Sequence, residues 1–152
     1  MIATSLGAGL LPGAPGTYGS LSALPVAFLL GRLGPAAYAG CTLGVVVVGT
    51  WAAGRFCAAS GQPDDQRVVI DEVAGCLVAL SLGPYTWPGM LLGFGLFRLL
   101  DIWKPGPLRW LDRHVRGGVG VMADDVLAGA LAALCLRGLL LLPLPWASWG
   151  IL

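Results

Sequence analysis

All eight carboxylates of this 152-residue chain lie in two short windows. The first holds Asp64, Asp65, Arg67, Asp71 and Glu72. The second holds Arg98, Asp101, Lys104, Arg109, Asp112, Arg113, Arg116, Asp124 and Asp125. Arg32, Arg55 and Arg137 are the three charges left outside. A chain that avoids charge elsewhere and then interleaves both signs in two places is building a polar site on an apolar body. Charged residues make up 11% of the chain and hydrophobic residues 57%, with a mean hydropathy of +0.81. A soluble domain carries about 25% charged residues, so an integral membrane protein is the default class. Disordered, collagenous and disulfide-stapled secreted chains are excluded.

The net charge of +1 offers no basic stripe for nucleic acid. Cys41, Cys57, Cys76 and Cys135 sit in apolar runs without metal-ligand spacing and read as buried small hydrophobes. No charged segment precedes the first apolar stretch, which argues against a cleaved signal peptide.

Met1 to Gly31 is uncharged but is not one membrane helix. Pro12 to Ser20 packs two prolines and three glycines into nine residues, a density that reads as an irregular loop, with a first helix from about Ser20 to Leu33. Pro35 to Gly54 is a 20-residue uncharged run, the length needed to cross a bilayer. A polar loop follows it, Gly61 to Asp65. Val73 to Phe97 is interrupted by the Gly83–Gly89 turn cluster. Its two legs form either a re-entrant hairpin or two helices that extend past the uncharged part; the second arrangement brings both charged windows to one face and is preferred. A last helix is expected from Asp124 to Leu142, with its acids in the first turn where the helix dipole favours them. Trp146 and Trp149, like Trp103 and Trp110, have the character of interfacial anchors. The expected fold is all-α: a single domain over residues 1–152, a compact multi-helix membrane protein with short or re-entrant helices around one polar interfacial site.

Carboxylates at membrane depth point to function. Asp71, Glu72, Asp101, Asp124 and Asp125 converging from three helices would repel one another without a cation, and oxygen ligands favour Mg²⁺ or Mn²⁺ over zinc. The opposing reading is a set of ordinary interfacial salt bridges. Arg98, Asp101 and Lys104 are spaced i, i+3, i+6, which suits either a phosphate–metal site or a plain salt-bridge ladder. Gly117 to Gly120 permits a close backbone approach or a tight turn. His114, the single histidine, is left outside the site.

Four stretches in this order and spacing resemble the phosphatidylglycerophosphatase A family: GLLPGAPGTYGS (Gly9–Ser20), VIDEVAG (Val69–Gly75), FRLLDIWKPGPLRWLDR (Phe97–Arg113) and GGVGVMADDVLAG (Gly117–Gly129). The resemblance implies an all-helical, Mg²⁺-dependent phosphatase of the bacterial inner membrane. It would convert phosphatidylglycerophosphate to phosphatidylglycerol and phosphate, with its site at the cytoplasmic face. The family's acidic positions fall on Asp71, Glu72, Asp101, Asp112, Asp124 and Asp125, its basic ones on Arg98, Lys104 and Arg113, and its hydroxyls on Thr17 and Ser20. Gly13 stands where many relatives carry a basic residue, and His114–Arg116 is a variable segment. The resulting assignment gives Asp71, Glu72 and Asp101 catalytic roles, Glu72, Asp101, Asp124 and Asp125 the metal, and Thr17, Ser20, Arg98, Lys104 and Arg113 the substrate. The membrane lipid itself is the partner. Two other classes compete. An ion or metal transporter would need acids threading to the opposite face, where the stretches around Pro35 and Pro84 have none. A CDP-alcohol phosphotransferase would need its D-x-x-D-G…A-R…G-x-x-x-D-x-x-x-D run, which is absent.

Overall fold

A computed structural model describes residues 1–62, 65–143, 145–146 and 151; Asp64 and Trp149 lie outside the described residues. The architecture is all-helical. A 3₁₀ segment at Ser5–Leu10 leads into α1 (Pro15–Leu33), α2 (Pro35–Ser60), α3 (Ile70–Leu80), α4 (Trp87–Trp103), α5 (Gly106–His114) and α6 (Gly117–Leu140).

The short helix α3 is the hub and packs against α1, α2, α4 and α6. Its apolar residues are almost wholly enclosed, and Leu77, Leu80, Phe97, Met90 and Leu136 form the centre of the core. Glycine lets the backbones meet where α3 crosses α6: a Cβ on Gly129 would collide with the Gly75 carbonyl oxygen, and one on Gly75 would lie 2.7 Å from the Asp125 carbonyl oxygen. The segment leading into α3 is pinned from the N-terminus, where the Val69 and Ile70 N–H groups both donate to the Ala3 carbonyl (2.9 and 3.2 Å).

Helices α2 and α6 are long and apolar enough to cross a bilayer. At about 1.5 Å per residue both exceed the roughly 30 Å hydrocarbon core. Leu43, Val47, Val48 and Trp51 of α2 are exposed, so this surface calls for an apolar solvent. The legs on either side of Gly83–Gly89 are two helices, α3 and α4, each reaching one charged window, as the preferred arrangement required. The hinge end is closed by aromatics: Tyr38 donates its hydroxyl to the Leu77 carbonyl (2.8 Å) and stands 5.4 Å from Tyr85.

The structure corrects several local expectations. The irregular stretch that begins at Pro12 ends at Ala14, and Pro15–Ser20 is already helical, because α1 begins at Pro15. A proline in the first turn lacks only an N–H that the helix does not use there. The glycines that looked like breakers serve packing instead: a Cβ on Gly19 would come within 2.9 Å of Val69. Helix α6 starts at Gly117, so Asp124 and Asp125 sit in its interior and not in its first turn. The Gly118 backbone lies against α2, where a Cβ would strike the Thr50 carbonyl oxygen, so these glycines belong to the helix and no turn precedes the acids. Helix α5 was not anticipated; Pro107 stands in its first turn, where a proline is tolerated. Trp146 is buried, its indole N–H donating to the Leu142 carbonyl (3.0 Å), so it is no interfacial anchor. Trp103 and Trp110 are exposed. Cys57 and Cys76 are buried as expected, but Cys41 and Cys135 are exposed on the apolar surface.

Candidate active site

The starts of α1, α3 and α6 and the end of α4 meet at one end of the bundle, and α5 closes it. They enclose a cavity of about 550 Å³ whose wall includes Thr17, Asp71, Glu72, Arg98, Asp101 and Lys104, joined from α5 and α6 by Asp112, Arg113, Arg116, Asp124 and Asp125. Among the described residues the two charged windows of the sequence are thus one site, apart from Asp65, Arg67 and Arg109. Asp65 and Arg67 do not line it. They pair with each other through a 2.6 Å salt bridge, and Asp65 also accepts the Arg67 backbone N–H, which holds its carboxyl well below the usual range. This clamp fixes the turn that delivers α3.

Asp71 and Glu72 occupy the first turn of α3, and Asp125 faces them from the interior of α6. One oxygen from each of the three lies within 4.8 Å of the others. Asp71 Oδ1, Glu72 Oε2 and Asp125 Oδ2 are buried with no hydrogen-bond partner among the described residues. Orphaned buried acceptors are costly, and three converging on one point form a group that could hold a cation. Burial pushes the Asp71 carboxyl well above its ordinary range, and the Glu72 and Asp125 charges push the same way. Burial raises Glu72 also. Six carboxylates line the cavity against four Lys and Arg side chains, a formal deficit equal to one divalent ion. The lining offers oxygen and no His or Cys, a donor set for a hard cation. The structure therefore groups Asp71 with Glu72 and Asp125 as the innermost cradle.

Asp101 and Asp124, assigned to the metal from sequence, both reach the cavity but are each engaged by a cation. Asp101 binds Arg98 at 2.5 Å and Asp124 binds Lys104 at 2.6 Å. The i, i+3, i+6 ladder is broken at its second step. Lys104 caps α4 in a left-handed conformation (φ 43°), which sends its ammonium to Asp112 and Asp124 (2.6 Å each). Burial works against that charge, yet the two carboxylate hydrogen bonds hold it above its usual value.

Arg98 and Arg113 line the cavity, and so does Thr17 at the start of α1. Ser20 does not. It is fully buried one turn further along, donates to the Gly16 carbonyl (2.8 Å) and accepts from Arg98 Nη1 (3.5 Å), so it touches the cavity through Arg98. His114 stacks on Trp110, outside the lining. Sequence reasoning missed Arg116 and Gly16. A Cβ on Gly16 would strike Glu72 Oε1, so glycine here is what lets α1 approach the cradle; its signal was the Gly-Thr pair after Pro15. Arg116 was counted in the second charged window but given no part in the site, and it lines the cavity.

The sequence model of phosphatidylglycerophosphatase A matches residues 1–140. The chain belongs to the phosphatidylglycerophosphatase A family. It is 37% identical over 134 residues to the phosphatidylglycerophosphatase A of Escherichia coli, covering 88% of this chain and 78% of that one. With the protein of the same name from Haemophilus influenzae it shares 35% over 136 residues, 88% of this chain and 83% of the relative. A Bacteroides thetaiotaomicron protein, whose name gives phosphatidylinositol-3-phosphatase as a provisional activity, is 40% identical over 138 residues, 85% of each chain. No solved structure matches this chain. Membership makes the chain a phosphatase, and the site described above is where a phosphate and a metal ion can meet. Its acids do not continue through the bundle: among the described residues none lies at the Leu33–Pro35 and Gly83–Trp87 end, which removes the pathway a transporter would need.

Proposed function

We propose that this chain hydrolyses the terminal phosphomonoester of phosphatidylglycerophosphate, giving phosphatidylglycerol and phosphate, in an Mg²⁺-dependent reaction at the cytoplasmic face of the bacterial inner membrane. The observation that carries this reading is the Asp71, Glu72 and Asp125 carboxylate cradle sharing one cavity with Arg98, Lys104 and Arg113. That cavity opens at one end of two bilayer-length helices, so a headgroup can enter while its acyl chains stay in the leaflet.

Asp71, Glu72 and Asp125 would hold the ion, with Asp101 and Asp124 beside them. Bound Mg²⁺ supplies Lewis-acid polarisation of the phosphoryl oxygens and lowers the pKa of bound water. Arg98, Lys104 and Arg113 hold the phosphate oxygens and offset the charge that grows on them in the transition state. The Thr17 hydroxyl donates to the phosphate or to the glycerol. Asp71 takes the proton from the attacking water through its second carboxylate oxygen, the one not committed to the ion. The water oxygen bonds phosphorus as the bond from phosphorus to the glycerol oxygen breaks, and the leaving oxygen takes a proton from solvent to become the alcohol. Asp101 acts by fixing Arg98.

The test is phosphate release from phosphatidylglycerophosphate by the purified chain after chelation, with and without added Mg²⁺, with phosphatidylinositol 3-phosphate as a second substrate. Release that requires Mg²⁺ and favours phosphatidylglycerophosphate is expected. No release from intact lipid with metal present overturns the reading, and release from phosphatidylinositol 3-phosphate alone moves the activity to that lipid.

A further inference from the structure

The cavity is too small for the whole substrate assigned under the proposed function, and the inference here rests on that assignment. About 550 Å³ holds the terminal phosphate and its glycerol. The second phosphate, a diester, and two acyl chains must leave by some route. A groove of about 880 Å³ lies on the outer face of α4, formed by Gly95, Leu99, Ile102 and Trp103 with Arg98 and Arg109. Arg98 lines both this groove and the catalytic cavity, so the two spaces share a wall. The groove's apolar residues are strongly exposed, Leu99 at 59%, Ile102 at 73% and Trp103 at 66%. Such a surface is stable against acyl chains and costly against water.

Arg109 gives the groove its polarity. Its guanidinium donates to the Trp103 carbonyl (3.5 Å) and forms no salt bridge among the described residues, whereas Arg98 and Lys104 are each tied to a carboxylate. A cation without an acid, beside an apolar groove and one side chain away from a phosphatase cavity, complements a phosphodiester joined to acyl chains. We infer that the α4 groove seats the diacylglycerol part of the substrate and that Arg109 binds its diester phosphate, making Arg109 the residue that distinguishes a lipid with two phosphates from one with a single terminal phosphate.

Gly95 provides a second handle, because nothing lies within 4 Å of where its Cβ would stand. A larger side chain there enters the groove without pressing on the fold. The experiment measures steady-state hydrolysis in mixed micelles by the full chain, with phosphatidylglycerophosphate and with phosphatidic acid, which has acyl chains and a terminal phosphate but no diester. Arg109→Gln is expected to raise KM for phosphatidylglycerophosphate about tenfold, the worth of one charged hydrogen bond. Its kcat should stay within about a factor of two, and the preference over phosphatidic acid should shrink by the same about tenfold. Gly95→Leu should raise KM for both lipids, with Gly95→Ala between it and the native chain. Unchanged KM values in an active enzyme overturn the groove while leaving the proposed function standing. An equal loss on both lipids in Arg109→Gln overturns the diester assignment and marks Arg109 as a contact to bulk anionic lipid. A fall in kcat without a change in KM overturns both roles. A native chain inactive on phosphatidylglycerophosphate overturns the proposed function, and the groove's substrate with it.

Discussion

The two ends of the helix bundle are built from the same helices and obey different rules. At the Gly83–Trp87 end, contacts are apolar and aromatic: Phe28 stacks on Trp87 at 5.5 Å, and Tyr38 is enclosed with its hydroxyl satisfied. Each such contact adds a little stability, and among the described residues the Thr42 hydroxyl of α2 is the buried side-chain oxygen there without a partner. At the other end, Asp71, Glu72 and Asp125 bring buried acceptors together without partners. Removing carboxylates from water costs several kcal/mol each unless they are neutralised (about that order, before any compensation). The comparison teaches that the apolar end is there for the fold, whereas the acidic end works against it and is retained for chemistry.

The largest effect should come from changing the cradle itself. Asp125→Asn is expected to cut turnover at least about 100-fold, yet to raise the stability of the chelated protein by on the order of 1 kcal/mol, because it deletes an unpaired buried charge. Asp101→Asn should cost a similar factor in turnover without that gain, because Arg98 then loses its 2.5 Å partner. Phosphate release and thermal unfolding in chelator check both. A cradle variant that loses stability along with activity would break the distinction between the ends.

A pH series sharpens the same distinction. Asp71 and Glu72 have carboxyls raised above their ordinary range by burial. Between the unfolded and folded pKa values the folded chain holds more protons, so stability falls as pH rises. Their contribution is full below the ordinary carboxylate range and is lost as pH climbs through the raised folded values. Chelated protein should therefore melt at progressively lower temperature from acid toward neutral pH. Added Mg²⁺ should flatten the slope by replacing the protons. A chelated protein whose melting temperature does not change with pH would show that the cradle carries no buried charge cost.

Much of this was legible in the sequence because charge is so rare in it. Confining the carboxylates to two windows placed them on one face once α3 and α4 were read as a helical pair, and Asp71, Glu72, Arg98, Asp101, Lys104, Arg113, Asp124 and Asp125 all reach the cavity. What could not be read was the part set by backbone contact. Glycine is a breaker by propensity and a spacer by packing, and only the neighbour decides which; Gly16, Gly118 and Gly129 are spacers because Glu72, α2 and Gly75 stand against them. Proline carries the same ambiguity: Pro15 looked like part of a loop and is the start of α1. The partner of Lys104 was hidden for another reason: helical spacing places it toward Asp101, but its positive φ ends the helix and turns it to Asp112 and Asp124.

Two glycines on α6 test the spacer role at intermediate cost. Gly129→Val puts a branched side chain against the Gly75 carbonyl and should destabilise the fold by about 3 kcal/mol. Gly138 has nothing within 4 Å of its Cβ position, so Gly138→Ala should be stabilising by about 0.5–1 kcal/mol through helix propensity alone. Thermal unfolding of both variants reads the difference, and equal effects would mean that the α3–α6 crossing does not depend on contact at Gly129.

The smallest effect should come from the one exposed cation at the apolar end for which the structure shows a ring contact. Arg32 lies 4.5 Å over the Phe28 ring, and an exposed contact of that kind is worth about 0.5–1 kcal/mol. Arg32→Gln should therefore lower stability by no more than that and leave phosphate release within about a factor of two of the native rate. The cavity wall contains no residue from this end, so an activity loss could reach it only through the helices. A loss of tenfold with an unchanged melting temperature would mean that the two ends communicate during turnover, and the division between a folding end and a working end would then describe the resting protein alone.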